Sequence, residues 1–141
     1  MSSKSDFFTD DRFILVGDTG ARKFPLFTKR FLEERGKTVY AVDLGGAEGY
    51  LGSLDAAPGD AQALIVEVPK ERTEQVVSAA LAKGITKVWI HQMTETPEAL
   101  AACIAAGASV QSGGCAVMYL APSGFSGHAI HRGIWKLIGR Y

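Results

Sequence analysis

The residues that come closest to a ligand-binding motif form a short turn between the first apolar stretch and a helix-like stretch. The turn contains Gly17 and Gly20, and Arg22 and Lys23 follow it. Glycines let a backbone approach a phosphate, and the next helix presents free N–H groups and partial positive charge. The full G-x-G-x-x-G fingerprint is absent, because Thr19 and Arg22 stand at its second and third glycines. We predict a phosphate-binding turn; the alternative is a plain tight turn with two exposed cations.

Two further turns are candidates for contacts with a nucleotide. Asp43 ends the second apolar stretch, where dinucleotide dehydrogenases place the acid that holds the adenine ribose. The alternative is a carboxylate that caps the backbone of its own loop. Pro69 stands at the start of a helical stretch, a position that proline favours for structural reasons alone. Its flat ring can also line an adenine-binding slot.

The candidate catalytic groups are His91, at the end of the fourth apolar stretch, and Cys115, after a Gly-Gly pair. His91 can serve as a general base, although a histidine at a strand end is more often a hydrogen-bonded structural residue. A thiol becomes a nucleophile when a partner lowers its pKa, and the alternative is a small buried side chain. Cys115, His128 and His131 are too loosely spaced for a metal signature, so we predict no metal site.

The sequence indicates a parallel α/β scaffold for these turns. Three times a helix-like stretch ends at a glycine, and a β-rich stretch begins two or three residues later; the glycines are Gly36, Gly84 and Gly107. Helix, glycine and strand in repetition are typical of βα units. Strands covered on both faces are continuously apolar, and this holds for residues 13–16, 39–42, 64–66 and 88–90, with a further strand at 109–111.

We therefore predict one α/β domain over residues 1–141, a Rossmann-like three-layer sandwich with a parallel sheet of about five strands. Residues 44–60 are rich in Gly, Ala and Asp, and we expect a loop there in place of a crossover helix. Thr96 and Pro97 predict the capped start of a helix. Residues 128–138 are predicted to form a short terminal helix, within a tail over residues 121–141 that packs on the domain or on a partner.

Composition excludes several classes of protein. The 15 Lys and Arg balance the 15 Asp and Glu, which argues against a dedicated nucleic-acid binder. Two cysteines are too few for a disulfide framework. No signal peptide or membrane-spanning stretch is visible. We expect a cytoplasmic protein with a small-molecule nucleotide ligand, and either a homo-oligomer or a partner protein.

The pattern as a whole resembles the CoA-binding domain family, small Rossmann-like proteins similar to the CoA-binding domain of the succinyl-CoA synthetase α subunit. The resemblance covers roughly residues 11–139. It is carried by an ordered set of segments: residues 14–17, 31–36, 39–42, 51–54, 66–69, 84–89, Gly107, 114–119 and 128–132.

The resemblance implies a protein that binds CoA, with the pyrophosphate at the first turn. The implied phosphate-binding residues are Gly17, Thr19, Gly20, Arg22 and Lys23, and Asp18, in the same turn, is a further candidate for binding the ligand. The residues implied near the rest of the ligand are Asp43, Leu44, Val68 and Pro69 beside the adenosine, and Gln92 and Met93 beside the pantetheine arm. Arg72, in the third turn, is a further candidate for binding the ligand. No counterpart of the synthetase's phosphohistidine loop is present, so ligase activity is not expected.

One departure from the family pattern leaves the ligand open. The family usually has Asn-Pro after the second strand, where this chain has Asp43 and Leu44. An acid would repel the 3′-phosphate of CoA if that group lay close, and it would suit the free ribose of NAD or ADP. We expect a binder of CoA or acyl-CoA without catalysis of its own. The alternatives are a binder of NAD or ADP-like nucleotides and an enzyme that uses Cys115 on a thioester or redox substrate.

Overall fold

The computed structural model describes residues 5–20, 24–91 and 94–114, which form a five-stranded parallel sheet with helices on both faces. The strands are β1 (Arg12–Gly17), β2 (Thr38–Asp43), β3 (Ala63–Glu67), β4 (Lys87–His91) and β5 (Ser109–Gly114). The helices are α1 (Phe24–Glu34), α2 (Lys70–Ala82) and α3 (Pro97–Ala105). The predicted α/β sandwich is confirmed. The predicted terminal helix and the tail over residues 121–141 lie outside the described residues.

The strands are arranged in the order β2-β1-β3-β4-β5, and all neighbours are parallel. This is one of the common orders of doubly wound sheets, and its direction of winding reverses between β1 and β3. Gly17, the last residue of β1, is in register with Asp43 on one side and Glu67 on the other. The first turn therefore leaves the sheet at the switch point, where ligands of such folds bind.

Each face of the sheet has its own apolar core, as expected for three layers. Under α2 and α3 lie Val66 and Ile90 from the strands, with Val77 and Cys103 from the helices. The other face is covered by α1 and a short 3₁₀ turn at Ser5–Thr9; Phe7 and Phe8 pack there on Phe13 and Trp89, while Phe31 and Leu32 come from α1. All five residues of β3 are buried, which explains its continuous apolar run.

The loop and the helix cap expected from the sequence are both present. Residues 44–60 contain only the 3₁₀ turn Leu54–Ala56 and one parallel bridge between Val42 and Leu51. At the start of α3, the Thr96 hydroxyl accepts a hydrogen bond from Ala99 N at 3.1 Å, and Pro97 is the first helical residue. No helix in the described part of the chain is long and apolar enough to cross a membrane.

The three helices end in the same way, at the three predicted glycines. Gly36, Gly84 and Gly107 have φ values of 78°, 93° and 73°. At each end, the glycine N–H and the N–H after it bond to carbonyls three and five residues back, as in Gly84 to Leu81 and Ile85 to Ala80. This is the Schellman arrangement, which requires the left-handed conformation at the glycine.

We expect Gly84→Ala to lower the free energy of unfolding by about 1 kcal/mol, because alanine is strained in the left-handed region. An added Cβ at Gly84 meets nothing within 4 Å, so the cost comes from the backbone and not from a clash. Gly59→Ala is the matched control, since Gly59 is equally open and has no positive φ. Urea unfolding of the two variants measures the difference; equal stabilities would contradict the prediction.

Candidate functional site

The first turn begins where a helix packs directly on the sheet. A Cβ added to Gly17 would lie 2.3 Å from Cγ and 2.7 Å from Cβ of Pro25, in the first turn of α1. Only glycine allows this approach, because the proline ring is rigid and cannot move aside. Gly17 therefore sets how closely the start of α1 approaches the sheet. Residues 21–23, including Arg22 and Lys23, lie outside the described part of the chain.

Two aspartates hold the turn in shape. Asp18 Oδ1 accepts a hydrogen bond from Gly20 N at 3.2 Å, which closes a local Asx turn. Asp43 Oδ1 accepts from Thr19 N at 2.7 Å, and Leu44 N donates to Gly17 O at 2.9 Å. The turns after β1 and β2 are thus tied together by backbone and carboxylate bonds, and the phosphate-binding prediction falls on an ordered loop.

Asp43 is a buried anion held by backbone donors. Its exposed fraction is 1%, and its second oxygen, Oδ2, accepts from Ala47 N at 2.8 Å. Burial acts to raise the pKa of Asp43, but the hydrogen bonds from Thr19 and Ala47 outweigh it, and the pKa lies below its usual value. Oδ2 thus caps the backbone of its own loop, as in the structural alternative considered for this residue, while Oδ1 caps the turn after β1. Ribose binding by Asp43 stays a prediction.

A second buried carboxyl group lies on the same row of the sheet. Glu67 is 2% exposed, and its Oε2 accepts from Thr28 Oγ1 of α1 at 2.7 Å. His91 follows Ile90, the register partner of Val66, so it stands beside Glu67 at 4% exposure. His91 Nδ1 is 3.8 Å from Glu67 Oε2. Burial raises the pKa of Glu67 to about 7, against the lowering effect of the Thr28 hydroxyl.

Sequence reasoning missed Glu67. The residue ends an apolar stretch and was not considered as a site residue, although a carboxylate inside such a run is rare in a buried strand. Together with Asp43, Gly17 and His91 it forms a row across four strands, which we call the polar row. Strand alternation puts this row on the sheet face covered by α1.

The third turn, which follows β3, contributes more to the hydrophobic core than to the surface that a ligand could contact. Val68 is fully buried with the α2 and α3 core, so its side chain offers no surface at the edge of the sheet. Pro69 immediately precedes α2, and its carbonyl accepts from the Arg72 N–H at 2.8 Å. Thr73 Oγ1 donates to Thr94 O at 2.7 Å, which ties α2 to the segment after β4. Pro69 and Arg72 remain partly exposed at this edge.

Several candidates cannot be placed. Gln92 and Met93 lie outside the described residues, as do Cys115, His128 and His131. In residues 5–20, 24–91 and 94–114, no group of three or more His, Cys, Asp or Glu residues is positioned to hold a metal ion. The described site is therefore an edge built from the ends of β1, β2, β3 and β4, with the polar row beneath it.

We expect Asp43→Asn to lower the free energy of unfolding by about 1–3 kcal/mol. The amide can accept only through its oxygen, so one of the two N–H groups of Thr19 and Ala47 loses its acceptor. Asp55→Asn, on an exposed side chain, is the matched control for the loss of one charge. Chemical denaturation at pH 7 measures both variants. A cost at Asp43 no larger than at Asp55 would contradict the account of the two turns.

Glu67 is expected to make stability depend on pH in the unusual direction for a carboxyl group. Its pKa is higher in the folded chain than the ordinary 4.5, so the folded state holds the extra proton between about 4.5 and about 7. The stabilising effect is complete below about 4.5 and is lost as the pH rises through about 7. The shift corresponds to about 3 kcal/mol.

The measurement is the difference in the free energy of unfolding between wild type and Glu67→Gln from pH 4.5 to 8. Glutamine resembles the protonated acid and does not titrate. As the pH rises, the free energy of unfolding of the variant should therefore increase relative to that of wild type, by up to about 3 kcal/mol. The comparison removes the contributions of other groups, such as Asp43, whose effect has the opposite sign. A difference that does not change with pH would show that Glu67 titrates normally.

Comparisons with known proteins agree with the fold and identify the family. The model of the CoA binding domain family matches residues 15–121. The chain is similar to Prb, the PH1109 protein redesigned for binding, with 22% identity, a TM-score of 0.70, and coverage of 84% of this chain and 90% of that one.

It is also similar to a conserved hypothetical protein from Pyrococcus furiosus, with 23% identity, a TM-score of 0.66, and coverage of 77% and 97% of the two chains. A hypothetical protein from Pyrococcus horikoshii OT3 has 24% identity and a TM-score of 0.67, over 80% of this chain and 83% of that one. No curated protein matches the chain significantly. The solved structures agree with the fold alone, whereas the family model spans most of the chain: the chain belongs to the CoA binding domain family.

Proposed function

We propose that this chain binds CoA or an acyl-CoA, with the pyrophosphate at residues 17–20, and performs no reaction of its own. The observation that carries the proposal is the position of that turn: it leaves β1 at the switch point of the sheet and is followed by α1. Membership in the CoA binding domain family supports the choice of CoA as ligand.

The local chemistry of the turn suits an anion. The first N–H groups of α1 have no partner within the helix, and its first turn contains no acidic residue. These groups and the helix dipole favour negative charge at this point. Thr19 N and Gly20 N already donate to Asp43 and Asp18, so the phosphate contacts fall to the start of α1, and Gly20 leaves room for the phosphate to approach. Arg22 and Lys23 are next in sequence and supply formal positive charge.

The bonds of Asp43 bear on the choice between CoA and an NAD-type nucleotide. A ribose-binding acid needs a carboxylate oxygen that the ribose hydroxyl groups can reach and that has lone pairs left to accept from them. Both oxygens of Asp43 accept from backbone N–H groups instead, and the side chain is buried. The negative charge is also partly balanced by these donors. This arrangement supports CoA over NAD or ADP as the ligand.

A binding role without catalysis is supported by the surroundings of His91. The side chain is 4% exposed and lies beside Glu67, so a substrate in the open edge of the sheet does not reach it without a rearrangement. Cys115 is the other candidate, and a thiol with an ordinary pKa in alkylation-rate titrations is expected on this proposal. We further propose a cytoplasmic location.

The proposal is tested by isothermal titration of the chain with CoA, dephospho-CoA, NAD and ADP. We expect CoA to bind tightest, and we expect Gly20→Val to weaken its binding by roughly tenfold or more because the side chain blocks the approach of the phosphate. An added Cβ at Gly20 meets only Asp18 Oδ1, at an ordinary 3.4 Å, so the variant should fold.

Gly59→Val is the control, on an open turn before β3, away from the edge where the phosphate is proposed to bind. It should bind CoA as the wild type does. No heat and no thermal shift with any of the four ligands would overturn the proposal. Undiminished binding by Gly20→Val would remove the turn from it.

A further inference from the structure

We propose that Glu67 and His91 form a buried proton-holding pair that takes up a proton when an anionic phosphate group binds at residues 17–20, so that the affinity for the ligand falls as the pH rises. The coupling to a ligand rests on the proposed function. The existence of the pair rests on geometry alone.

The pair lies directly beneath the proposed phosphate position. Glu67 is the register partner of Gly17, and paired strands are about 5 Å apart. The carbonyl oxygen of Glu67 is 3.6 Å from the place where a Cβ on Gly17 would lie. The Glu67 carboxyl group is therefore on the order of 10 Å from a phosphate held at the turn. It is separated from that phosphate by packed protein and not by water, since Gly17 and Pro25 are buried.

The carboxyl group of Glu67 lacks the donors that an anion needs. Oε2 accepts one hydroxyl hydrogen bond, from Thr28, and Oε1 has no hydrogen-bond partner among the described residues. A buried carboxylate with so few donors is costly, and a proton on the carboxyl group or on the neighbouring imidazole removes that cost. The 3.8 Å between Oε2 and Nδ1 is short enough for an ion pair when the proton is on His91.

Among the described residues, no Lys or Arg side chain faces the Glu67–His91 pair from a neighbouring strand or helix. On β2 the facing group is Asp43, an anion two strands from Glu67. On α1 it is the uncharged Thr28, while Lys29 and Arg30 pair with Glu33 and Glu34. The remaining neighbours are uncharged: Leu15 and Gly17 on β1, Trp89 on β4, and Gly114 on β5.

A bound phosphate adds negative charge to this setting and so favours the protonated pair. At about 10 Å and an effective dielectric constant near 20, one unit of charge changes the equilibrium by on the order of tenfold. Linkage is reciprocal, so the proton strengthens ligand binding by the same factor. Burial raises the pKa of Glu67 to about 7, which places this exchange in the neutral range.

The experiment is isothermal titration with CoA from pH 6 to 8.5, in buffers of different ionisation enthalpy. Glu67→Gln mimics the protonated acid and is expected to fold. The control is Glu74→Gln, which removes one charge from the exposed side of α2. Protonation of CoA itself is common to all variants and cancels in the comparison.

Wild type and Glu74→Gln should take up a fraction of a proton when they bind CoA near pH 7. From pH 6 to 8.5, their affinity for CoA should fall by about tenfold more than the affinity of Glu67→Gln does. Thr28→Val removes the hydroxyl that stabilises the charged carboxylate, so its fall in affinity should have a midpoint at higher pH. A merely structural role of Glu67 would not move that midpoint.

Equal pH dependence and equal proton uptake in wild type and Glu67→Gln, with CoA still bound, would overturn this inference and leave the proposed function intact. Failure of the wild type and of every variant to bind CoA would overturn both this inference and the proposed function. An unshifted midpoint in a folded Thr28→Val variant would also count against the pair.

Discussion

The contact between Gly17 and Pro25 is the constraint on which the rest of the site depends. With no side chain on Gly17, the first turn of α1 packs against the end of β1 at distances that a Cβ would exclude. This contact brings the start of the helix to the switch point of the sheet. It also covers the ends of the neighbouring strands, so that Glu67, on the adjacent strand, is removed from water. The open turn and the buried polar row are thus consequences of one close approach.

Asp43 and Glu67 show how hydrogen-bond donors and burial together set the charge of a carboxyl group inside the protein. The two residues flank Gly17 in the same row, and both are almost fully shielded from solvent. Asp43 accepts from two backbone N–H groups that the fold presents to it, and it stays ionised below its usual pKa. Glu67 has one hydroxyl donor, and burial prevails. Glu67 also lies deeper in the protein than Asp43, so stronger desolvation and the smaller number of donors both act to raise its pKa.

Much of the fold was predictable from sequence because its signals are local. The glycines at helix ends require positive φ, and Gly36, Gly84 and Gly107 occupy such positions. The position of the turn after β1, where phosphate binding stays a proposal, followed from the same logic, since the turn comes directly after the first apolar run. Strand order is not local: nothing in the residues shows that β3 lies beside β1, and without that pairing Glu67 has no relation to Gly17. The role of Asp43 was undecided for the same reason, because its donors lie 24 residues before it and 4 residues after it.

The site therefore has two parts, an exposed one and a buried one, and electrostatic interactions are screened differently in each. The start of α1, beside the exposed turn at Gly20, provides N–H groups, whose effect on an anion depends on distance and on salt. The polar row lies beneath them, and its charges interact with a ligand at the turn across packed protein, which screens them less than water does. One proton on the row therefore changes the electrostatic potential at the turn. Family membership supports CoA binding in general terms, and this edge is where we propose that the ligand lies. The charge beneath it is set by individual side chains, and Glu67 can hold a proton because α1 offers Thr28, and no charged partner, to its carboxyl group.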